Sequence, residues 1–171
     1  TTVKNPFSRF SLYQNLYFFS EKKCFQCIDH FGYNADISVG DVWSMPLKND
    51  PVKHSGLLIR NRCGRDFHNL ATAAGVLDSR PIDAAEIMEG QARTAPFHYN
   101  ISARIGAARR CGLTLKDTVS EPVHWNHRLV ANLALLNWKW SASERWAKFI
   151  FKVPRPILRA YLVFFKALES F

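Results

Sequence analysis

No uninterrupted apolar run in the sequence reaches the roughly 18 residues that a membrane-spanning helix needs. Near its end the longest charge-free apolar stretch is Ala160 to Phe165. Acidic residues are scarce, with 14 Asp and Glu against 23 Lys and Arg, a net charge of +9. Eight glycines and eight prolines, without any repeat, exclude a collagen helix and a mucin-like stalk. Sustained heptads are lacking as well, which excludes a coiled coil. Four cysteines are too sparse for a disulfide-dense miniprotein. Because no secretory signal opens the chain, they point to a reducing, cytoplasmic setting. There is no G-x-S-x-G, P-loop or G-x-G-x-x-G, so hydrolase, kinase and classical dinucleotide-binding readings lack support. Nucleic-acid motifs are equally lacking, and no nucleic acid is expected as a partner.

What is present is an ordinary globular balance. Of 171 residues, 47% are apolar and 22% charged, and the aromatic share is 13%. That length suits one domain or one domain with a helical appendage. The first residue is Thr1, and the sequence reads as a piece cut from a longer protein.

The aromatic run Phe7 to Phe19 alternates loosely and predicts a half-buried strand or two. A tight turn is expected over Lys23 to Asp29. Ala35 to Val39 predicts a buried strand ended by a Gly40-Asp41 turn, and Gly56 to Asn61 a second one, with Gly64 marking the next turn. A polar loop is expected between them, from Met45 to Ser55. Phe67 to Ala74 has helical spacing and stops at Gly75. Further helices are expected over Ile82 to Glu89 and Pro96 to Cys111, then in a Trp- and Leu-rich tail broken near Pro154 and Pro156. The predicted class is α+β (or α/β), with a small mixed sheet early and helices packed on it. Residues 1–118 are expected as the folded unit and 119–171 as a helical tail.

Cys24 and Cys27 form a C-x-x-C, whose two-residue spacing lets both sulfurs share a metal or cluster edge. A redox dithiol and chance are the competing readings. The following IDHFGYN is a poor start for the helix that thioredoxin-type dithiols need. His30 is a conceivable zinc partner, but no second C-x-x-C completes four ligands. Cys63 and Cys111 stand alone, as buried small hydrophobes often do.

The run CFQCIDHFGYNADISVGDVW, Cys24 to Trp43, resembles the C-terminal domain of the coenzyme F-420 hydrogenase/dehydrogenase beta-subunit family. So do GLLIRNRCG (Gly56 to Gly64), AAGVL (Ala73 to Leu77), AAEIMEGQ (Ala84 to Gln91) and ARIGAARRCGL (Ala103 to Leu113), in that order, over about residues 20–117. The resemblance implies an iron–sulfur flavoprotein oxidoreductase subunit. Its cofactors would be 4Fe–4S clusters and a flavin, taken as FAD. Its electron partner would be a deazaflavin or a ferredoxin, and relatives are encoded among bacterial polysaccharide genes. Cys24 and Cys27 would then be cluster ligands, and Asp36, Gly40, Asp41, Arg60 and Gly64 would lie near the flavin. The remaining thiolates would come from the family's N-terminal half, which this sequence lacks and which is the expected partner of this domain.

Physically, a Gly-Asp turn after a buried strand offers close backbone approach to a flavin, and Gly64 with Arg60 and Arg62 offers donors to a phosphate. The plainer alternative is that Asp36 and Asp41 cap turns and Arg60 is a surface cation. Arg93, Arg104, Arg109 and Arg110 concentrate charge around one helix, read first as a solvated face and second as a neighbour of an anionic cofactor. His124 and His127 share a helix face without nearby carboxylates or thiols. In the tail, Trp138, Trp140 and Trp146 alternate with Lys139, Arg145 and Lys148, a texture common at membrane interfaces. From Pro156 a helix through Leu168 would be apolar nearly all round, with Arg159 and Lys166 on one stripe. Packing on the core or on the rest of the protein is the first reading of 138–168, and peripheral contact with the inner face of a membrane the second. The rival function is a non-catalytic scaffold or membrane-surface domain that keeps the fold.

Overall fold

A computed structural model describes residues 9–43, 46–47, 52–91, 97 and 100–170. Residues 1–28 together with 96–171 form one compact unit, and residues 29–95 form a second.

The first unit is helical. Its opening helix, α1 (Arg9–Asn15), replaces the strand expected over Phe7 to Phe19. Leu12, Tyr13 and Leu16 are buried, and that i, i+1, i+4 spacing is one face of a helix rather than alternate sides of a strand. Aromatic content favours a strand here, and tertiary burial overrides it. The helix ends in a backbone curl in which Phe18 N–H reaches the Tyr13 carbonyl at 2.9 Å and Tyr17 takes φ of 60°. A left-handed tyrosine is uncommon. Its ring is held 4.6 Å from Phe97 and 5.9 Å from Phe165, which offsets the backbone cost. A short 3-10 turn then spans Lys22–Phe25.

The remaining helices of this unit are α4 (Ile101–Arg110), α5 (Trp125–Ser141), α6 (Glu144–Lys152) and α7 (Arg155–Glu169). Ala107 and Ala108 on α4 and Ala131 and Ala134 on α5 are buried, small enough to let those two helices approach closely. Leu158, Leu162, Phe165 and Leu168 give α7 a buried stripe at i, i+4, i+7, i+10. Buried Asn137 donates to the Leu16 carbonyl at 2.8 Å and accepts from the Tyr161 hydroxyl at 3.1 Å. Helix α4 is capped by Asn100, whose side chain accepts from Ala103 N–H, and stops at Cys111 before Gly112 at φ 79°. The expected start of that helix at Pro96 lies outside the described residues.

The second unit holds β1 (Ile37–Asp41), β2 (Ser55–Ile59), α2 (Arg62–Ala73) and α3 (Ala84–Gln91). The α+β class is as expected. The sheet described is an antiparallel pair rather than a mixed sheet, in register from Ile37 opposite Ile59 to Asp41 opposite Ser55. Antiparallel strands need no crossover connection, whereas parallel neighbours need one of a dozen or more residues, usually a helix. Gly40 and Asp41, expected in a turn, lie inside β1. Most of the loop expected between Met45 and Ser55 lies outside the described residues. Helix α2 starts earlier than predicted, on an Asn61 cap, and ends as predicted, with Gly75 at φ 68°. Gly64 therefore lies in its first turn and not in a loop.

Candidate functional site

The sequence-predicted site residues fall into both units, Cys24 and Cys27 in the first and the other five in the second.

In the first unit the C-x-x-C sits on the 3-10 turn. Cys24 N–H bonds the Glu21 carbonyl at 2.9 Å, and Cys27 N–H bonds the Lys23 carbonyl at 3.1 Å. Both side chains are exposed. Beneath them lies a group that sequence reasoning placed on a solvated face. Arg104 is fully buried, at 0% exposure. Its guanidinium donates to the Phe25 carbonyl at 2.8 Å and to the Cys27 carbonyl at 2.9 Å, and it stands 5.2 Å over the Phe97 ring. Burial draws its pKa down to about 10, against the opposing pull of Cys27 and Tyr17. It stays charged at neutral pH. Arg109 and Arg110 on the same helix are exposed as expected, and Arg93 lies outside the described residues. The missed signal was local: Ala103, Ala107 and Ala108 surround Arg104 in helical space, a small apolar neighbourhood that marks an inward face.

Two exposed thiols on one turn suit an edge of a metal or cluster. A 4Fe–4S cluster takes four protein thiolates. Among the described residues, no group of three or more His, Cys, Asp and Glu side chains is placed to hold a metal. These residues thus fit as part of a ligand set. Cys63, on the first turn of α2, is exposed rather than buried, and Cys111 is half-buried, its thiol pushed up by that burial. His124 and His127 stand 5.5 Å apart ring to ring.

In the second unit, a groove of about 470 Å³ opens along the strand pair. Gly40 and Gly56 are register partners and both line it. Directly opposed residues share a face of an antiparallel pair. A Cβ at Gly40 would meet nothing within 4 Å, whereas one at Gly56 would stand 3.0 Å from the Val42 side chain, so the open space of this rung is at Gly40. Phe31, Trp43, Leu58 and Ile87 supply apolar wall, and Asp41, His30 and Gln91 supply polar groups. His30 Nε2 and Gln91 Oε1 are 3.1 Å apart. This lining, apolar and aromatic with few polar groups, is of the kind that small-molecule sites have.

Gly40 and Asp41 thus lie at the groove, whereas Asp36, Arg60 and Gly64 are not among its lining residues. Each of those three has a contact within the unit. Arg60 donates to the Phe31 carbonyl at 2.6 Å and stands 5.1 Å over the Tyr33 ring. Asp36 accepts from the Asn61 side-chain amide. A Cβ on Gly64 would fall 2.4 Å from the Asp36 carbonyl oxygen, so only glycine permits this approach of α2 to the start of β1. Asp29 fastens the other wall, accepting from Phe31, Gly32 and Tyr33 N–H at 3.1, 2.7 and 2.9 Å. Asp29, His30, Trp43 and Gln91 could not be singled out as a set by sequence reasoning, because they converge only through the fold.

No curated protein and no solved structure matches the chain. The family match ends at residue 85, so the similarities read in AAEIMEGQ and ARIGAARRCGL lie almost wholly beyond it. It covers the C-x-x-C turn and both groove-lining strands: residues 2–85 of this chain match the family described as the C terminus of the coenzyme F420 hydrogenase/dehydrogenase beta subunit.

Proposed function

We propose that this chain is part of an iron–sulfur flavoprotein oxidoreductase. The flavin lies in the groove over Gly40 and Gly56, and Cys24 and Cys27 contribute two ligands to a 4Fe–4S cluster whose other ligands come from elsewhere. The reading is carried by the groove along the strand pair, most of whose lining lies in the segment that matches an oxidoreductase-subunit family. A bound flavin supplies electron or hydride transfer to and from its partner, of deazaflavin or ferredoxin type. The chain's own residues do three things. Gly40, where a side chain would enter open space, lets an aromatic ring approach the backbone. Phe31 and Trp43 screen one side from water. Arg104 fixes the carbonyls of the cysteine turn and so holds the two exposed thiols in one arrangement. Asp36, Arg60 and Gly64 act as wall supports that hold α2 and the Phe31 loop in place. A place in polysaccharide synthesis rests on the resemblance alone.

The test is anaerobic purification of the intact natural polypeptide, with iron and flavin assays and an absorption spectrum. Flavin bands near roughly 370 and 450 nm over a broad iron–sulfur shoulder are expected. Gly40→Val should lose flavin while keeping iron and far-UV dichroism, because its side chain enters open space and suits a strand. Cys24→Ser with Cys27→Ser should lose iron. A colourless, iron-free protein would sink the reading in favour of a non-catalytic scaffold, for which the outward aromatic and basic surface of α6 and α7 is the specific observation.

A further inference from the structure

The first unit turns a second apolar surface outward. On α7, Leu158, Leu162, Phe165 and Leu168 face the core, yet Ile157, Val163 and Phe164 are exposed. At 100° per residue, Ile157, Ala160, Phe164 and Ala167 form a stripe on the side away from the buried one. Arg155, Arg159 and Lys166 lie on a separate sector, about 140° round the helix from that stripe, with Val163 between. The junction of α5 and α6 repeats the pattern. Trp140 and Trp146 stack with ring centroids 6.0 Å apart, and Phe149 meets Trp146 edge-on at 5.9 Å. Trp146 and Phe149 are 46% and 59% exposed, so much of each ring is left in contact with solvent.

Charge distinguishes the occupants such a surface can take. In residues 138–168 seven cations, Lys139, Arg145, Lys148, Lys152, Arg155, Arg159 and Lys166, stand against one anion, Glu144. Lys148 bonds Glu144 at 2.7 Å. A second copy of this surface would bring like charges together, which disfavours self-association. An anionic lipid surface complements both features at once. Tryptophan rings settle at the headgroup level, aliphatic and phenyl groups enter the acyl boundary, and each nearby cation is drawn to the negative leaflet. Among the described residues no helix is long and apolar enough to cross a membrane, so the contact would be along the surface.

We propose that the Trp140–Trp146–Phe149 cluster and the outward stripe of α7 seat this protein on an anionic lipid bilayer. The inference is independent of the redox reading and stands or falls apart from it. The full chain is mixed with vesicles of phosphatidylcholine alone or of phosphatidylcholine with phosphatidylglycerol, and bound protein is recovered by flotation. Binding at least about tenfold stronger on the anionic vesicles is expected. It should weaken steeply between about 0.1 M and 1 M salt, where the screening length falls from about 10 to about 3 Å. Trp146→Ala with Phe149→Ala should reduce partitioning by about tenfold or more. Should that variant lose its helical dichroism, Arg145→Glu with Lys152→Glu replaces it, with loss of the anionic preference expected. Equal binding to both vesicles, binding to neither, or unchanged binding by the folded variants would overturn the proposal. A dimer abolished by Trp146→Ala with Phe149→Ala, without vesicle binding, would overturn it in favour of a protein contact.

Discussion

The two compact units are built on different principles. The first is closed around Leu12, Leu16, Phe25, Ala131, Leu135 and Phe165, all at 1% exposure or less. Among the described residues of the second, Gly64 alone is buried. Its large apolar groups, Trp43, Phe67, Leu70 and Val76 among them, are exposed. A two-stranded ribbon has marginal stability by itself, and two short helices with exposed apolar groups add little. The unit that carries the groove has thus little core of its own, and the unit that carries the cysteine turn has nearly all of it. Stability and ligand access are in this chain assigned to separate stretches of sequence.

The largest effect should come from opening the first core. Phe165→Ala removes a fully buried ring that packs on Tyr17 and Tyr161, and a loss of about 3–5 kcal/mol is expected by urea unfolding. Hydrogen exchange sharpens the comparison. In the intact protein the amides of α5 should exchange orders of magnitude more slowly than those of β1, β2 and α2, and Phe165→Ala should bring α5 toward them. Protection in the ribbon equal to that of α5 would break the distinction.

Next comes Arg104→Met, which keeps much of the volume and deletes the donors. It strands the Phe25 and Cys27 carbonyls, each worth about 1–3 kcal/mol when left buried and unpaired. A loss of about 2–3 kcal/mol is expected, together with faster alkylation of Cys24 and Cys27 in a mass-spectrometric assay. Loss of stability without any change at the thiols would show that the arginine does not order the turn.

In the second unit Gly64→Ala gains about 1 kcal/mol of helix propensity. It also drives a Cβ to 2.4 Å from a backbone oxygen, which no flexible side chain can relieve. The clash should win, with a net loss of roughly 1–3 kcal/mol and further loss of protection in β1. A neutral outcome would mean that α2 shifts freely.

The smallest effect is a titration. Burial, helped by His124, lowers the pKa of His127 from its ordinary value near 6.5. The unfolded chain therefore binds this proton more readily than the folded one. His127 is neutral above the unfolded value, where its full contribution to stability is present. That contribution is lost as pH falls from there through the folded value. Thermal midpoints should decline from pH 7 toward acid, and His127→Gln should flatten that slope. An unaltered slope would remove His127 from the pH response.

What the sequence revealed follows from which forces act locally. Helix ends were readable because Gly75 and Gly112 occupy left-handed positions that glycine takes cheaply. The helix from Pro156 to Leu168 agrees closely with α7 because its spacing is strong. The strand expected over Phe7 to Phe19 failed because aromatic composition says little about burial, and Leu12, Tyr13 and Leu16 are sorted by partners over a hundred residues away, as the Asn137 bond to Leu16 shows. At the site, the cysteine spacing and the ADISVGD run were legible. The opposition of Gly40 and Gly56 was not, since register is set by pairing. Arg104 was hidden because a lone arginine in a basic helix resembles any surface cation.

Arg104 also sets a timetable. It is separated from Phe25 and Cys27 by 79 and 77 positions in the chain. At about 5–20 residues per second, the cysteine turn emerges from the ribosome roughly 4–16 seconds before the side chain that holds it. During that interval Cys24 and Cys27 are two thiols on an unfastened segment, open to metal, oxidant or a delivery protein. In the folded chain the same two thiols are still exposed but held on one turn, so closure of the fold changes their arrangement and not their access.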